Sequence, residues 1–229
     1  MLDNLDFYSQ IEELIPFDEQ IFELYKIYQI QLQELASKSV IDIGCGNGKF
    51  AKLLMDTGID TVGVDLSAKM AARAQRLGVN ARCIDICDIK NEKYDAATAV
   101  FDVLNYIPDE SLDRFFSCIA NLLNKNSFFL ADINTIHGFA EVADGDARFF
   151  DTSREIFISA RYENSRLESE FILFEKDGDR YRRSTSKITQ YYHDKNRLKK
   201  IAGFKLEKTL PIRLFSEKID KELLLFKKI

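Results

Sequence analysis

Apolar residues along the first two-thirds of the chain alternate between strand spacing and helix spacing. Residues 19–35 place them at three- and four-residue intervals, which predicts an amphipathic helix. Further on, short apolar runs predict strands at residues 40–43, 61–64, 79–84, 96–100 and 128–133. Helical spacing follows the first, second and fourth of these runs, the last time over residues 109–123. This alternation favours a parallel sheet covered by helices on both faces.

The pattern changes after Asn134. Three β-rich segments, at residues 156–162, 167–175 and 181–192, follow one another with turn residues and no helix between them. Asp177-Gly178 is a strong hairpin signal. We therefore predict an antiparallel meander inserted into the α/β domain. A short helix over 196–202 and two final strands over 204–211 and 222–228 follow, and the strands are expected to pair as an antiparallel hairpin.

A glycine-rich loop, Asp42-Ile-Gly-Cys-Gly-Asn-Gly48, separates the first predicted strand from its helix. Glycine permits positive φ and lets backbone amides approach a ligand closely. Asp65 ends the next strand, where a carboxylate can accept hydrogen bonds from both hydroxyls of a ribose. Asp85 ends the third strand at the same carboxyl edge, which is where open α/β sheets bind ligands. Together these features predict a nucleotide-like ligand site.

These motifs resemble those of the class I S-adenosylmethionine-dependent methyltransferase family. Val40-Ile-Asp-Ile-Gly-Cys-Gly-Asn-Gly-Lys-Phe50 is similar to the first family motif, Val62-Gly-Val-Asp-Leu-Ser67 to the second, and Tyr94-Asp-Ala-Ala-Thr-Ala-Val-Phe-Asp-Val-Leu-Asn-Tyr-Ile107 to the fourth. The resemblance covers residues 38–133 strongly and the terminal strands weakly. It implies a Rossmann-like, seven-stranded, mostly parallel sheet with the last strand antiparallel and helices on both faces. The antiparallel β insertion precedes the final strands.

The resemblance also implies S-adenosylmethionine as cofactor and assigns residues to it. Asp65 would hold the ribose with Leu66 against the adenine, and Asp85 would receive the adenine amino group beside Ile86. The methionyl end would be surrounded by Asp42, Gly44, Cys45, Gly46, Gly48 and the backbone of Phe101. On this basis we expect one domain, residues 1–229, with an N-terminal helical segment (1–37), a cofactor-binding core (38–133), the β insertion (145–192) and a terminal helix with strands (193–229).

Several alternatives stay open for these residues. Asp42 can instead brace the loop, although a carboxylate at an apolar strand end is costly without a partner. Asp88 can take the place of Asp85, because the two lie in one acidic run, and Met70 is as compatible with the core as with the cofactor. A nicotinamide dinucleotide site would need a third glycine where Lys49 stands, so we rank that ligand lower.

The acceptor side of the predicted site has four candidate residues. The family often places an asparagine or aromatic residue after strand four, where this chain has Leu104-Asn-Tyr-Ile107. This sequence departs from the Asn-Pro-Pro-Tyr of members that methylate base amines. Asp132, inside strand five, is a further candidate base. The candidate acid-base or positioning residues are Asn105, Tyr106, His137 and His193.

Composition and charge limit the classes of molecule that can be the methyl acceptor. The net charge is -5 and the pI is about 5.3, which argues against a broad basic surface for nucleic acid. Residues 180–205 are locally basic and could hold an anion or RNA, or form a solvated strand face. We predict transfer to an oxygen or nitrogen of a small molecule. The alternatives are an RNA methyltransferase that uses residues 180–205 and a non-catalytic S-adenosylmethionine-binding protein.

The remaining expectations concern cysteines, metals and location. The four cysteines are expected to be reduced, and the spacing of Cys83 and Cys87 is not that of a zinc site, so no metal is predicted. The apolar runs are too short to span a bilayer, and the acidic N-terminus does not resemble a secretion signal. We therefore expect a cytoplasmic protein with no membrane contact. The sequence leaves its oligomeric state open.

Overall fold

A seven-stranded sheet forms the centre of the computed structural model, which describes residues 2–229 and the side chains from Asp6 onward. The strands of the chain are Ser39–Ile43 (β1), Asp60–Asp65 (β2), Asn80–Cys83 (β3), Tyr94–Ala99 (β4), Leu123–Asn134 (β5), Gly145–Phe150 (β6), Arg154–Glu163 (β7), Arg166–Asp177 (β8), Arg180–Tyr191 (β9), Phe204–Ile212 (β10) and Lys221–Lys228 (β11). The central order is β10-β11-β5-β4-β1-β2-β3. β1 to β5 pair in parallel, whereas β11 pairs antiparallel with β5 and β10. The predicted Rossmann-like fold is confirmed.

Helices cover both faces of this sheet. They are Leu2–Ile11 (α1), Asp18–Glu34 (α2), Lys49–Asp56 (α3), Ala68–Arg76 (α4), Asp109–Leu122 (α5) and Lys195–Leu198 (α6). The apolar stripe of α5 packs on one face, where the ring of Phe116 lies 5.0 Å from that of Phe226 and 5.4 Å from that of Phe129. α2 and α3 bury Tyr28 and Phe50 against the opposite face. Burial of these stripes fixes the direction in which the strand ends point.

A second sheet of four antiparallel strands, in the order β6-β7-β8-β9, stands beside the carboxyl edge of the first. The sequence predicted three of these strands and missed β6. Most residues of β6 are exposed, so it lacks the in-and-out alternation that marks a half-buried strand. Phe7, Ile11 and Leu14 of the N-terminal segment pack on this sheet against Phe171 and Leu173. The short apolar face of α1 thus gains its partner only through tertiary structure.

The expectation of four reduced cysteines is wrong for two of them. Cys87 and Cys118 form a disulfide, with their Cα atoms 4.9 Å apart. The pair is 31 residues apart in sequence and meets because the turn after β3 lies against α5. Cys45 is a buried free thiol and Cys83 an exposed one. None of the helices in the described part of the chain is long and apolar enough to cross a membrane.

Candidate active site

The glycine-rich loop turns sharply between β1 and α3. The amides of Gly44 and Cys45 both donate to the carbonyl of Val64, at 2.8 and 3.0 Å, so the loop is tied to the end of β2. Gly48 has φ +83° and no room for a side chain, because an added Cβ would lie 2.6 Å from the Cβ of Ala74 on α4. An added Cβ on Gly46 would meet no atom within 4 Å. Gly46 therefore leaves the loop open on the side that a ligand can approach.

Asp65 bridges the loop and the start of α4. Its Oδ2 accepts a hydrogen bond from the Gly46 amide at 2.9 Å, and its Oδ1 accepts one from the Ser67 amide at 2.8 Å. Burial raises the pKa of this carboxyl, while the amide hydrogen bonds act in the opposite direction. Leu66, the next residue, is 45% exposed and offers an apolar surface. The carboxylate and the apolar side chain therefore stand side by side at the end of β2.

Asp85 lies at the end of the neighbouring strand and is exposed. Its Oδ1 accepts a hydrogen bond from the Cys87 amide at 2.8 Å, which caps the 3₁₀ turn Ile86–Asp88. Ile86 is buried beneath this turn. Because β2 and β3 pair in parallel, the ends that carry Asp65 and Asp85 are adjacent. The arrangement has the polar and apolar groups that an adenosine needs at one sheet edge.

Asp42 and Cys45 are enclosed behind the loop. Asp42 is 2% exposed, and its Oδ1 accepts a hydrogen bond from Thr98 Oγ1 at 2.8 Å. Burial raises the pKa of Asp42 to about 7. The Cys45 side chain packs against Gly63, where an added Cβ would lie 2.8 Å from its Sγ. Both side chains thus support the loop from the inside.

The N-terminal segment lies across this edge of the sheet, a feature that the sequence reasoning missed. Asp6 accepts a hydrogen bond from Ser67 Oγ, and Glu12 pairs with Arg73 of α4 at 2.5 Å. On the other side, Arg154 Nη1 of β7 donates to the Gln10 carbonyl at 3.1 Å. α1 therefore spans from the cofactor-side helix α4 to the second sheet. Its apolar spacing of Phe7, Ile11 and Leu14 was the available signal.

A lysine and two aspartates meet where β4, β5 and β11 approach the same edge. Asp132 is fully buried and accepts hydrogen bonds from the amides of Phe101 and Asp102 at 2.8 and 3.1 Å, and from the Tyr28 hydroxyl at 2.7 Å. Lys221, 1% exposed, contacts both carboxylates. Phe101 and Asp102 both adopt left-handed backbone conformations, at φ +63° and +64°. This cluster holds the loop after β4 in a strained shape.

The candidate residue Asn105 is completely buried. Its Nδ2 donates to the Tyr191 carbonyl at 2.8 Å, and its Oδ1 accepts from the Asn134 amide at 3.0 Å. Asn105 thus joins the loop after β4 to β5 and to the end of the second sheet. This geometry favours a structural role. The neighbouring Tyr106 packs with the residues that hold α1 on the second sheet, and burial is the main reason that its pKa is raised.

The two histidines line one cavity of about 270 Å³ beside the ends of β5 and β11. Its lining includes no residue of the glycine loop, β2 or β3. His193 is 2% exposed and its Nε2 lies 2.9 Å from the Leu104 carbonyl, while burial lowers its pKa. His137 Nε2 lies 3.0 Å from Ser216 Oγ. The structure brings these two candidates together, but apart from the loop.

Comparison with known proteins gives independent information about this arrangement. A family model described as a methyltransferase domain matches residues 40–126. A candidate methyltransferase of Geobacillus sp. (strain WCH70) is 28% identical over 205 residues, which are 80% of this chain and 82% of that protein. A ubiquinone biosynthesis O-methyltransferase of Coxiella burnetii (strain Dugway 5J108-111) is 31% identical over 108 residues, 44% of this chain and 45% of that protein.

Solved structures share the fold over nearly the whole chain. An S-adenosylmethionine-dependent methyltransferase from Clostridium acetobutylicum ATCC 824 has a TM-score of 0.79 at 21% identity and covers 97% of both chains. A sugar N-methyltransferase from Streptoalloteichus sp. ATCC 53650 has a TM-score of 0.73 at 15% identity, covering 97% of this chain and 92% of that one. Both likenesses extend beyond the family-model match and include the second sheet.

Proposed function

We propose that this chain is a class I S-adenosylmethionine-dependent methyltransferase, like the proteins that it resembles, and that it methylates a nitrogen or oxygen atom of a small molecule. The observation that carries the proposal is the cover over the carboxyl edge of the sheet. α1 contacts α4 on one side and the second sheet on the other, so this helix lies over the carboxyl edge of the central sheet. A covered edge of this kind suits a small acceptor better than a polymer.

The residues of the loop and the neighbouring strand ends fit the cofactor. We propose that Gly44, Gly46 and Gly48 shape the space for the methionyl end, with the backbone of Phe101 beside it. Asp65 and Leu66 would hold the ribose and one adenine face, and Asp85 with Ile86 the adenine edge. When bound, S-adenosylmethionine supplies a methyl group on a positively charged sulfur, and the acceptor atom must lie in line about 3 Å from the methyl carbon.

The remaining parts of the chain would determine which acceptor molecule binds. We assign cofactor binding to the core, residues 38–133, and acceptor specificity to the N-terminal segment and the β insertion, residues 145–192. Support comes from Asn105 and Arg154, whose hydrogen bonds tie the insertion to the loop after β4 and to α1. Insertions at the carboxyl edge commonly vary the function of a constant sheet.

RNA is the weaker alternative because five of the nine basic residues over 180–205 form ion pairs with acids. Arg182 pairs with Glu175 at 2.8 Å, Arg197 with Asp113 at 2.9 Å, and Lys195 with Glu222 at 2.7 Å. Lys205 also contacts Glu207. Cations that already have carboxylate partners offer less positive potential to phosphates.

Transfer of radiolabel from S-adenosylmethionine tests the proposal. The protein is incubated with the labelled cofactor and either a desalted metabolite extract or total RNA, and the label is followed after separation by size. We expect label in the small-molecule fraction and none in RNA. Label that appears only in RNA would contradict the proposal. A matched incubation with Asp65→Ala shows whether the label depends on the cofactor site.

A further inference from the structure

The disulfide between Cys87 and Cys118 lies beside one end of the proposed cofactor site. Cys87 belongs to the 3₁₀ turn Ile86–Asp88, which follows Asp85 after β3, and Cys118 belongs to α5. Asp85 and Ile86 are the residues proposed for the adenine edge of the cofactor. The bridge therefore joins the segment proposed to contact the adenine to a helix on the face of the sheet.

Asp85 depends on this turn for its position. Its Oδ1 accepts a hydrogen bond from the Cys87 amide at 2.8 Å, and its carbonyl accepts one from the Asp88 amide at 2.9 Å. The adenine amino group would donate to the second carboxylate oxygen. Because the amide of a bridged cysteine holds one oxygen of Asp85, a restraint on Cys87 is also a restraint on this carboxylate.

Burial anchors only part of the turn. Ile86 and Ile89 are 6% and 5% exposed and belong to the same buried apolar cluster as Ile119 of α5. Asp85 and Asp88 are exposed. Without the bridge, burial would keep the two isoleucines in place, whereas the exposed acids would gain conformational freedom. We therefore expect loss of the bridge to loosen Asp85 without unfolding the domain.

The surroundings of the bridge favour reversible chemistry. Cys87 and Cys118 are both half-buried at the surface rather than enclosed in the core. Exposed disulfides are more easily reduced than enclosed ones and are more often regulatory. The expected location is the cytoplasm, where disulfides are rare and are usually transient or redox-sensing. These features suit a switch better than a permanent structural link.

We propose that the Cys87–Cys118 disulfide is a redox switch on cofactor affinity. The bridged protein holds Asp85 in place for the adenine, and the reduced protein binds the cofactor more weakly. This inference rests on the proposed S-adenosylmethionine-dependent function and adds a regulation of its cofactor site. Cys87 and Cys118 are positioning residues, since they act on the cofactor through Asp85.

The switch is a thiol–disulfide exchange with a dithiol, either a small molecule or a protein. One thiolate of the dithiol attacks a sulfur of the bridge, which breaks the S–S bond and forms a mixed disulfide. The second thiolate then displaces the cysteine from that mixed disulfide. Two electrons and two protons pass from the dithiol to the two cysteines, and the dithiol leaves as its own disulfide. The reverse exchange with an oxidised dithiol closes the bridge.

The first test measures the binding of S-adenosylhomocysteine by calorimetry. The wild type is compared before and after reduction with dithiothreitol, and with Cys118→Ala, which opens the bridge and leaves the sequence of the turn unchanged. Ser117→Ala, at the exposed neighbouring position of α5, is the matched control. We expect Kd to rise about tenfold in the reduced wild type and in Cys118→Ala, because about one backbone residue gains freedom. Ser117→Ala should stay within twofold of the bridged wild type.

Asp85→Ala separates the switch from a general loosening of the fold. If reduction acts through Asp85, a protein without this carboxylate should bind equally weakly with the bridge closed or open. We therefore expect reduction to change the Kd of Asp85→Ala less than twofold. A full tenfold loss on reduction of Asp85→Ala would show that the bridge acts by another route and would overturn the inference.

A second readout needs no variant. If the bridged form binds tenfold more tightly, saturating S-adenosylhomocysteine must favour bridge closure tenfold in a glutathione buffer, because the coupling between two equilibria is reciprocal. Alkylation of free thiols followed by mass spectrometry measures the bridged fraction of the native wild type. If thermal unfolding shows that Cys118→Ala does not fold, this measurement replaces it.

The outcomes separate the switch from the function on which it rests. Equal affinity of the bridged and reduced wild type, or a bridged fraction that S-adenosylhomocysteine leaves unchanged, would overturn the switch and leave cofactor binding standing. Failure of both forms to bind S-adenosylhomocysteine would overturn the proposed function together with the switch.

Discussion

Asp42, behind the glycine-rich loop, is a buried acid that makes the stability of the fold depend on pH. The side chain is 2% exposed with Thr98 as its hydrogen-bond donor, and burial raises its pKa to about 7. In the unfolded chain the same carboxyl titrates near pH 4. Between these values the folded state holds a proton that the unfolded state has lost. Because of this difference, the contribution of Asp42 to stability must fall as pH rises through that window.

We predict that Asp42→Asn removes this loss of stability with rising pH. Each pKa unit corresponds to about 1.4 kcal/mol, so the wild type should lose up to about 4 kcal/mol relative to Asp42→Asn between pH 4 and pH 7. Urea unfolding of both proteins at several pH values measures the difference, which cancels the titration of His193 and other shared groups. Parallel curves for the two proteins would show that Asp42 does not carry the effect.

Asp65 is the residue on which cofactor affinity should depend most directly. We predict that Asp65→Ala lowers the affinity for S-adenosylhomocysteine at least tenfold, because two hydrogen bonds to a charged group contribute about 1.5 to 3 kcal/mol each. The affinity of Asp65→Asn should lie between those of the wild type and Asp65→Ala, because asparagine keeps one acceptor oxygen. Asp60→Ala, at the exposed start of the same strand, is the control. Calorimetry that finds equal affinity for wild type and Asp65→Ala would remove Asp65 from the site.

At the scale of elements, the β8–β9 hairpin should affect the acceptor rather than the cofactor. Its turn, Asp177-Gly178, is exposed, and the hairpin contacts the core through the other end, where Asn105 reaches Tyr191. We predict that a hairpin shortened at this turn binds S-adenosylhomocysteine within threefold of wild type. Calorimetry together with a thermal unfolding curve checks both affinity and folding. Lost cofactor affinity in a folded variant would count against the assignment of the insertion.

The disulfide between Cys87 and Cys118 ties the turn below Asp85 to α5. Closing a loop of this length restricts the unfolded chain, which in the entropy model stabilises the fold by about 3 to 4 kcal/mol. We predict that reduction lowers the urea midpoint of the wild type and leaves that of Cys87→Ser/Cys118→Ser unchanged. Unreduced, denatured protein should titrate as two free thiols, those of Cys45 and Cys83. Four thiols under these conditions would show that the bridge is absent.

At the scale of the whole molecule, charge decides which partners the surface can attract. The net charge is -5, and much of the basic stretch over residues 180–205 is paired with acids. We predict only weak RNA binding, with little dependence on salt. A titration with mixed RNA at low and moderate ionic strength measures this. Micromolar affinity that falls steeply with added salt would reveal several phosphate contacts and favour an RNA substrate.

Local features of the sequence determined the central sheet and the cofactor edge. Strand periodicity, the glycine loop and the aspartates at strand ends act over a few residues each, since they reflect backbone sterics and the burial of one face. The parallel core, the antiparallel pairing of the two final strands and the juxtaposition of Asp65 with the loop were therefore predictable. Whether those residues bind the cofactor remains a prediction.

Tertiary structure alone decided the features that join distant parts of the chain. Lys221 meets Asp102 across 119 residues, and Cys87 meets Cys118 across 31. No local sequence pattern predicts either contact, because each depends on how β11, β5 and α5 are arranged in the fold. The same holds for α1, whose small apolar face finds its packing partner only in the second sheet. The burial of Asn105, one of the candidate acid-base or positioning residues, was hidden for the same reason: its partners, Tyr191 and Asn134, are supplied by the fold.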